Sequence, residues 1–421
     1  MNSEFQHNLE KYAEVVVKVG LNLQAGQRLM IVAPPMGTDG ISLEVYPLVR
    51  AIAKTAYQAG SRFVGVNWDD DELGRIRVQY AAADTMNESA SWKIDAAVQY
   101  IDNGDAVLVI VGRNPDLTRG LDPEKVRVKQ QTESTLFHRL RSKIAAGETN
   151  WLAIGASNEG WATSIFPDLP PVEAVARLWD EIFEACRINH DDPLSEWERH
   201  VAVLGQRSAY LNGKRYTALK LTAPGTDLTI GLPKGHIWHG GRLTSQNGIG
   251  FVPNIPTEEV STMPHKDYID GVVTTTRPLP HGGSLIENFT LKFSDGRVVN
   301  ASAKSGQEAL DSLLNTDQAS RALGEVAIVP HSSPISHSGV VFYNILYDEN
   351  ASNHLALGNA YRFSMEGGEG MKDEEFVAAG GNLSLSHSDF MIGSGAMDID
   401  GITNDGTAEP VTRNGEWAFE V

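Results

Sequence analysis

Five side chains of metal-ligating type stand out in the second half of this 421-residue chain: Glu259, Glu325, His354, His387 and Asp389. Each falls in a segment that reads as a strand or the end of one. A mixed set of carboxylates and imidazoles suits borderline divalent cations. Five such ligands exceed what one zinc ion takes and match two ions that share a carboxylate. Convergence of the five would make a dinuclear metal hydrolase.

Local sequence gives each residue its own weight. In Leu383-Ser384-Leu385-Ser386-His387-Ser388-Asp389-Phe390, strand alternation puts His387 and Asp389 on one face. A surface hydrogen bond between the two is the plain alternative. His354 follows the polar run Asp348-Glu349-Asn350-Ala351-Ser352-Asn353 and opens the segment Leu355-Ala356-Leu357-Gly358. That suits a ligand held where an element begins, or a histidine capping a turn. Glu325 sits between Leu323-Gly324 and Val326-Ala327-Ile328-Val329, where a carboxylate is costly unless paired, hydrogen-bonded or metal-bound. In Asn254-Ile255-Pro256-Thr257-Glu258-Glu259-Val260, the adjacent acids cannot face the same way in an extended chain. One can enter a site while the other caps, pairs or meets solvent. His236 and His239 have a helical ligand spacing, but Gly235, Gly240 and Gly241 disfavour a helix there. His265, His281, His331 and His337 read as loop histidines, and Asp398 and Asp400 as turn residues.

Other chemistries lack their signatures. The chain contains no His-Glu-x-x-His, no P-loop, no dinucleotide fingerprint after an early strand and no Gly-x-Ser-x-Gly elbow.

The elements that must position these residues change character along the chain. Apolar strands at Arg28–Ala33, Phe63–Val66, Ala106–Val111 and Trp151–Ile154 alternate with helical runs at Leu43–Ala59, Ser91–Ile101 and Thr132–Ala145. This predicts an α/β N-terminal domain, a mostly parallel sheet with helices on both faces, over residues 1–193. Beyond it, short strands separated by Gly, Pro and Asn predict a strand-rich α+β domain over residues 194–421, with only Gln307–Leu314 and Asp373–Ala379 helical.

A net charge of −19 argues against nucleic-acid or anionic-membrane partners, which need basic surface. The single cysteine, Cys186, forms no intrachain disulfide. The N-terminus Met1-Asn2-Ser3-Glu4-Phe5 lacks a basic region followed by an apolar core, so no signal peptide is expected. No apolar run approaches the ~20 residues of a spanning helix, and a cytoplasmic protein is the expectation.

At four segments the sequence resembles the aminopeptidase T / aminopeptidase S family of dinuclear metallopeptidases: Asn254–Val260, Leu323–Ala327, Asn353–Tyr361 and His387–Gly393. Order and spacing both agree. The resemblance implies that Glu259, rather than Glu258, is the first acidic ligand and Glu325 the second. His354, His387 and Asp389 complete the set, and Tyr361 matches a tyrosine whose hydroxyl lies at the metal site. It also implies two divalent ions per chain (zinc, cobalt or manganese), peptide substrates with a free N-terminus, and a homodimer. The expected chemistry is attack by an ionised water on the first peptide bond. Tyr361 would donate to the oxyanion, and Glu258 is a candidate general base that its opposite facing disfavours. Two alternatives compete. One is a mononuclear iron(II) oxygenase using His354, His387 and one carboxylate. The other is a binding protein that kept the fold and lost catalysis.

Overall fold

Ala106–Val111 is an uninterrupted apolar run, the pattern of a strand buried on both faces. In the computed structural model, which describes residues 3–34, 40–112, 114–115, 117–281 and 284–421, it lies central in a five-stranded parallel sheet. The order is Asn254–Ile255, Trp151–Gly155, Ala106–Val111, Leu29–Val32, Val64–Val66. Leu29 and Ile31 point away from Met30 and Val32, yet all four are buried, so both faces are covered. Met30, Val32 and Val107 pack against Ile94, Val98 and Ile101 of helix Ser91–Asp102, and against Phe137 and Leu140 of helix Pro123–Ala145.

The chain divides into two compact units. One comprises Met1–Arg199 with Arg242–Pro256, the other His200–Gly241 with Thr257–Val421. This differs from a single boundary near residue 193, because residues 242–256 return to the first unit and give its sheet an edge strand. It also adds a helix, Pro193–Lys214, to the two that the sequence predicts beyond residue 193. Pro193, at the expected domain boundary, is favoured in a first helical turn. Asp192 accepts from Ser195 N at 3.1 Å to start it.

The second unit is built from antiparallel sheets. A nine-stranded sheet includes Ala218–Ala223, Thr226–Gly231, Ile269–Thr274, Ser284–Ser294, Arg297–Ser305 and Asp398–Ile402. A five-stranded sheet carries the candidate site. Among the described residues no helix is long and apolar enough to cross a membrane.

Candidate metal centre

The five-stranded sheet runs His387–Met391, His354–Gly358, Leu323–Ile328, Val260–Thr262, His239–Gly240, with every neighbour antiparallel. Directly paired residues share a face. Ala356 pairs with Glu325 on one side and Asp389 on the other, and Gly358 pairs with His387. His354, two residues before Ala356, shares their face. Ser261 pairs with Ala327 on the same face, and Glu259 continues that alternation by two residues. Leu355, Leu357, Val326, Ile328, Val260 and Phe390 face the other way, into the hydrophobic core. Burying the apolar set therefore aligns five scattered polar residues on one surface. The methyl group of Ala356 leaves room between the carboxylates beside it.

One residue breaks the alternation. Leu323 pairs with Leu357, but Glu325 pairs with Ala356, so the register shifts at Gly324. Without this bulge Glu325 would lie opposite Leu355 and face the core, since a one-residue slip exchanges faces. A Cβ at Gly324 would collide with the carbonyl oxygens of Asn359 and Gly358.

Atoms that could ligate a metal ion gather in three overlapping groups, each with its atoms within 4.8 Å of one another: Glu259–Glu325–His354, Glu325–His387–Asp389 and Glu349–His354–Asp389. Glu325 is common to the first two. Both imidazoles are fixed in one tautomer. His354 Nδ1 lies 3.0 Å from Glu349 O and 3.1 Å from Ser352 O, and His387 Nδ1 lies 2.7 Å from Asn359 O. Carbonyl oxygens only accept, so each Nδ1 carries the proton. His354 Nε2 then faces Glu259 Oε2 at 3.1 Å. His387 Nε2 faces Asp389 Oδ1 at 3.3 Å and Glu325 Oε2 at 3.5 Å. In neutral rings these are lone pairs aimed at oxygens that also only accept. A proton or a cation between them removes the conflict. Glu259 Oε2, the atom that faces His354 Nε2, is buried without a hydrogen bond, as an oxygen suited to a cation is. The donor set of imidazole nitrogens and carboxylate oxygens, each imidazole braced by a backbone carbonyl, fits divalent cations.

Before any cation binds, these surroundings set the proton affinities of the groups. Burial opposes charge on His354, but Glu259, Asp389 and Glu349 outweigh it and raise its pKa to about 10. Burial likewise opposes charge on His387, and Asp389 with Glu325 raises it to about 9. Glu325 is pushed up to about 7, by burial first and by Glu259 next. Burial, then Asp389 and Glu259, lift Glu349 well above the usual carboxylate range. Asp389 stays below its usual value because His387 outweighs its burial.

Other expected residues fall at different distances from this centre. Tyr361 stacks on Phe363, with centroids 5.1 Å apart, and its ring lies 4.8 Å from that of His387. Burial and then Glu325 and Asp389 raise its phenol well above the usual value, so it keeps its proton. Glu258 is not brought to the centre. It shares the alternation of Val260, its N–H donates to Asn350 Oδ1 at 2.7 Å, and its carboxylate lies 3.6 Å from His200 Nε2. His239 Nε2 is bonded to Phe363 O at 2.7 Å, and Asp400 pairs with Arg413. Glu349 was missed by sequence reasoning. The visible signal was its place five residues before His354 in an acid-rich loop.

Comparison with known proteins agrees with this geometry. Residues 5–417 match the family described as Thermophilic metalloprotease (M29). The chain belongs to that family. Aminopeptidase AmpS of Bacillus subtilis is 45% identical over 415 residues, covering 99% of each chain. Aminopeptidase T of Thermus thermophilus is 41% identical over 413 residues, covering 98% of this chain and 99% of that protein. The solved structure of wild-type AmpT from Thermus thermophilus superposes with a TM-score of 0.91 at 41% identity, over 99% of this chain and 100% of that one. The α/β first part and the antiparallel, strand-rich second part are thus shared with a solved relative.

For this M29 chain the bulge makes a test of the register argument. Gly324→Ala puts a methyl group against the Asn359 carbonyl, the same group that holds His387 Nδ1. Either the bulge or that carbonyl must move. We expect metal affinity to fall about 10- to 100-fold, as when a hydrogen-bond partner of a ligand is lost. Unchanged affinity by metal titration would remove Gly324 from the account of the site.

Proposed function

We propose that this protein is a metal-dependent aminopeptidase, a hydrolase that releases N-terminal residues from peptides. In this reading, Glu259, Glu325, His354, His387, Asp389 and Glu349 hold two divalent cations: zinc, cobalt or manganese. One observation carries it: two imidazoles with Nδ1 tied to backbone carbonyls aim Nε2 at carboxylates that only accept. The aminopeptidase names of its relatives support the exopeptidase activity.

Bound divalent cations lower the pKa of a water toward neutrality and polarise a carbonyl. The chain supplies the rest. Glu325 joins the Glu259–His354 and His387–Asp389 groups. The surplus of carboxylates favours a substrate with a free, positively charged amino group. Tyr361, held in its protonated form, donates to the carbonyl oxygen as that oxygen gains charge. Glu258, the carboxylate weighed above as a proton acceptor, lies at His200 and outside the three ligand groups, so it is left out of the chemistry. All of these residues lie in the second compact unit, which we regard as the catalytic one. A cytoplasmic homodimer extends the reading on family resemblance.

Metal content and turnover measured together provide the test. About two ions per chain are expected, with hydrolysis of aminoacyl amides whose amine is free and none of their N-acetylated counterparts. One oxygen-sensitive iron would transfer the chain to the oxygenase alternative. Full ion content without turnover on any aminoacyl substrate would make it a binding protein.

A further inference from the structure

A network of one acid and three serines precedes the His387–Met391 strand and takes no part in the chemistry above. Asp317 Oδ1 caps the short 3-10 helix Gln318–Arg321, accepting from Ala319 N and Ser320 N, both at 2.8 Å, and from Ser320 Oγ at 3.0 Å. A cap needs one oxygen. The second reaches a segment 68 residues further on: Oδ2 accepts from Leu385 N at 2.6 Å and from Ser384 Oγ at 2.9 Å. Ser384 Oγ in turn accepts from Ser386 N at 3.2 Å. Ser386 O accepts from Asn359 N at 2.7 Å, and Asn359 O accepts from His387 Nδ1 at 2.7 Å. Hydrogen bonds joined through the backbones of Ser386 and Asn359 therefore lead from Asp317 to the imidazole.

The bonds have little slack. Gly358, at φ +101°, would drive a Cβ into Ser386 O, so the two segments touch backbone to backbone. Asn382 Nδ2 ties Ala319 O, at 2.9 Å, to Gly358 O, at 2.6 Å. Among the described residues Asp317 forms no ion pair. Burial resists its charge, but the Leu385 N–H and the Ser384 and Ser320 hydroxyls outweigh it and favour the carboxylate. His354 is oriented differently, by Glu349 O and Ser352 O from its own loop. The carbonyls that fix the two imidazoles come from different segments.

We propose that Asp317 is a positioning residue for His387: it clamps residues 384–386 and so sets cation affinity on the His387–Asp389 side of the centre, leaving the Glu259–His354 side independent. This rests on the dinuclear reading above. The experiment is a titration of metal-free protein with cobalt(II), followed by calorimetry and visible absorption, in wild type, Asp317→Asn, Ser384→Ala and Ser384→Thr. Wild type should show two binding events. In Asp317→Asn one event should weaken about 10- to 100-fold, with an altered cobalt spectrum, while the other keeps its affinity. Ser384→Ala should weaken the same event, and Ser384→Thr, which restores a hydroxyl, should recover it. A capping role alone would lower the melting temperature of the metal-free protein and move neither affinity. Two unchanged affinities, or two reduced by one factor, in a folded Asp317→Asn or in Ser384→Ala, overturn the proposal. Fewer than two events in wild type would overturn the dinuclear reading instead.

Discussion

Glu325→Gln is expected to cost this protein both its cations and its turnover. The amide matches the carboxylate in size, so the bulge at Gly324 and the pairing with Ala356 survive. What goes is the anion common to the Glu259–His354 and His387–Asp389 groups. Electrostatic stabilisation by bound cations is worth several kcal/mol at the transition state, and each ~1.4 kcal/mol is a factor of ten. A fall of about a thousandfold or more in kcat/KM follows, with well under two ions per chain after dialysis. Stability moves the other way in the metal-free protein. The pKa of Glu325 is raised by folding, to about 7, so the folded chain binds its proton more tightly than the unfolded chain. Its contribution to stability is complete at low pH. It declines as pH rises from the ordinary glutamate range through 7, because the ionised, buried acid then opposes folding. A neutral amide escapes that decline. Metal-free Glu325→Gln should melt no lower than metal-free wild type at pH 8, whereas wild type should gain far more melting temperature on addition of metal. Full ion content with wild-type turnover would sink the assignment. A lowered melting point in the metal-free state would show damage to the fold instead.

How far the site was legible depended on which physical rule carried each residue. His387 and Asp389 were readable because strand alternation is local and regular there. The apolar runs at Ala106–Val111 and Trp151–Gly155 were readable because burial on both faces leaves little choice of side chain. Glu325 was suspected from the cost of an acid in an apolar strand, but its facing could not follow from alternation. A strand without the bulge puts Leu323 and Glu325 on the same face, and the bulge at Gly324 reverses that. A glycine inside a strand pattern is the available sign of such a bulge, and here it also marks a backbone approach that sequence cannot show. Family resemblance implies Glu259 over Glu258, and register with Ala327 through Ser261 puts Glu259 on the face of His354. Glu349 escaped because a one-turn 3-10 helix, Glu349–Ala351, aims it, and no periodicity announces so short an element. The helix Pro193–Lys214 escaped for a different reason. Trp197, Val201, Leu204 and Leu211 do repeat at helical spacing, but Pro193 and the polar residues before it read as a boundary. The return of residues 242–256 to the first unit is long-range and leaves no local trace.

Tyr361→Phe should separate catalysis from cation binding. The substitution removes one oxygen atom. The ring remains held by its stacking on Phe363, at 5.1 Å and an interplanar angle of 10°, and by its place 4.8 Å from the His387 ring. Burial, and then the Glu325 and Asp389 carboxylates, raise its phenol, which makes the hydroxyl a donor that keeps its proton. A donor fixed beside the reacting carbonyl costs no reorganisation when charge develops there, and losing one such donor typically lowers turnover about 10²- to 10³-fold. The loss should fall on kcat, with KM and ion content close to wild type, since the ground-state carbonyl bears little of the charge. An inhibitor that mimics the tetrahedral transition state should lose affinity by a similar factor, while a substrate-like inhibitor with a planar amide should not. If Tyr361→Phe instead binds fewer ions, the hydroxyl is a ligand on the His387 side of the centre. If kcat is unchanged with both ions bound, the tyrosine is a wall of the site and the oxyanion donor must be sought elsewhere.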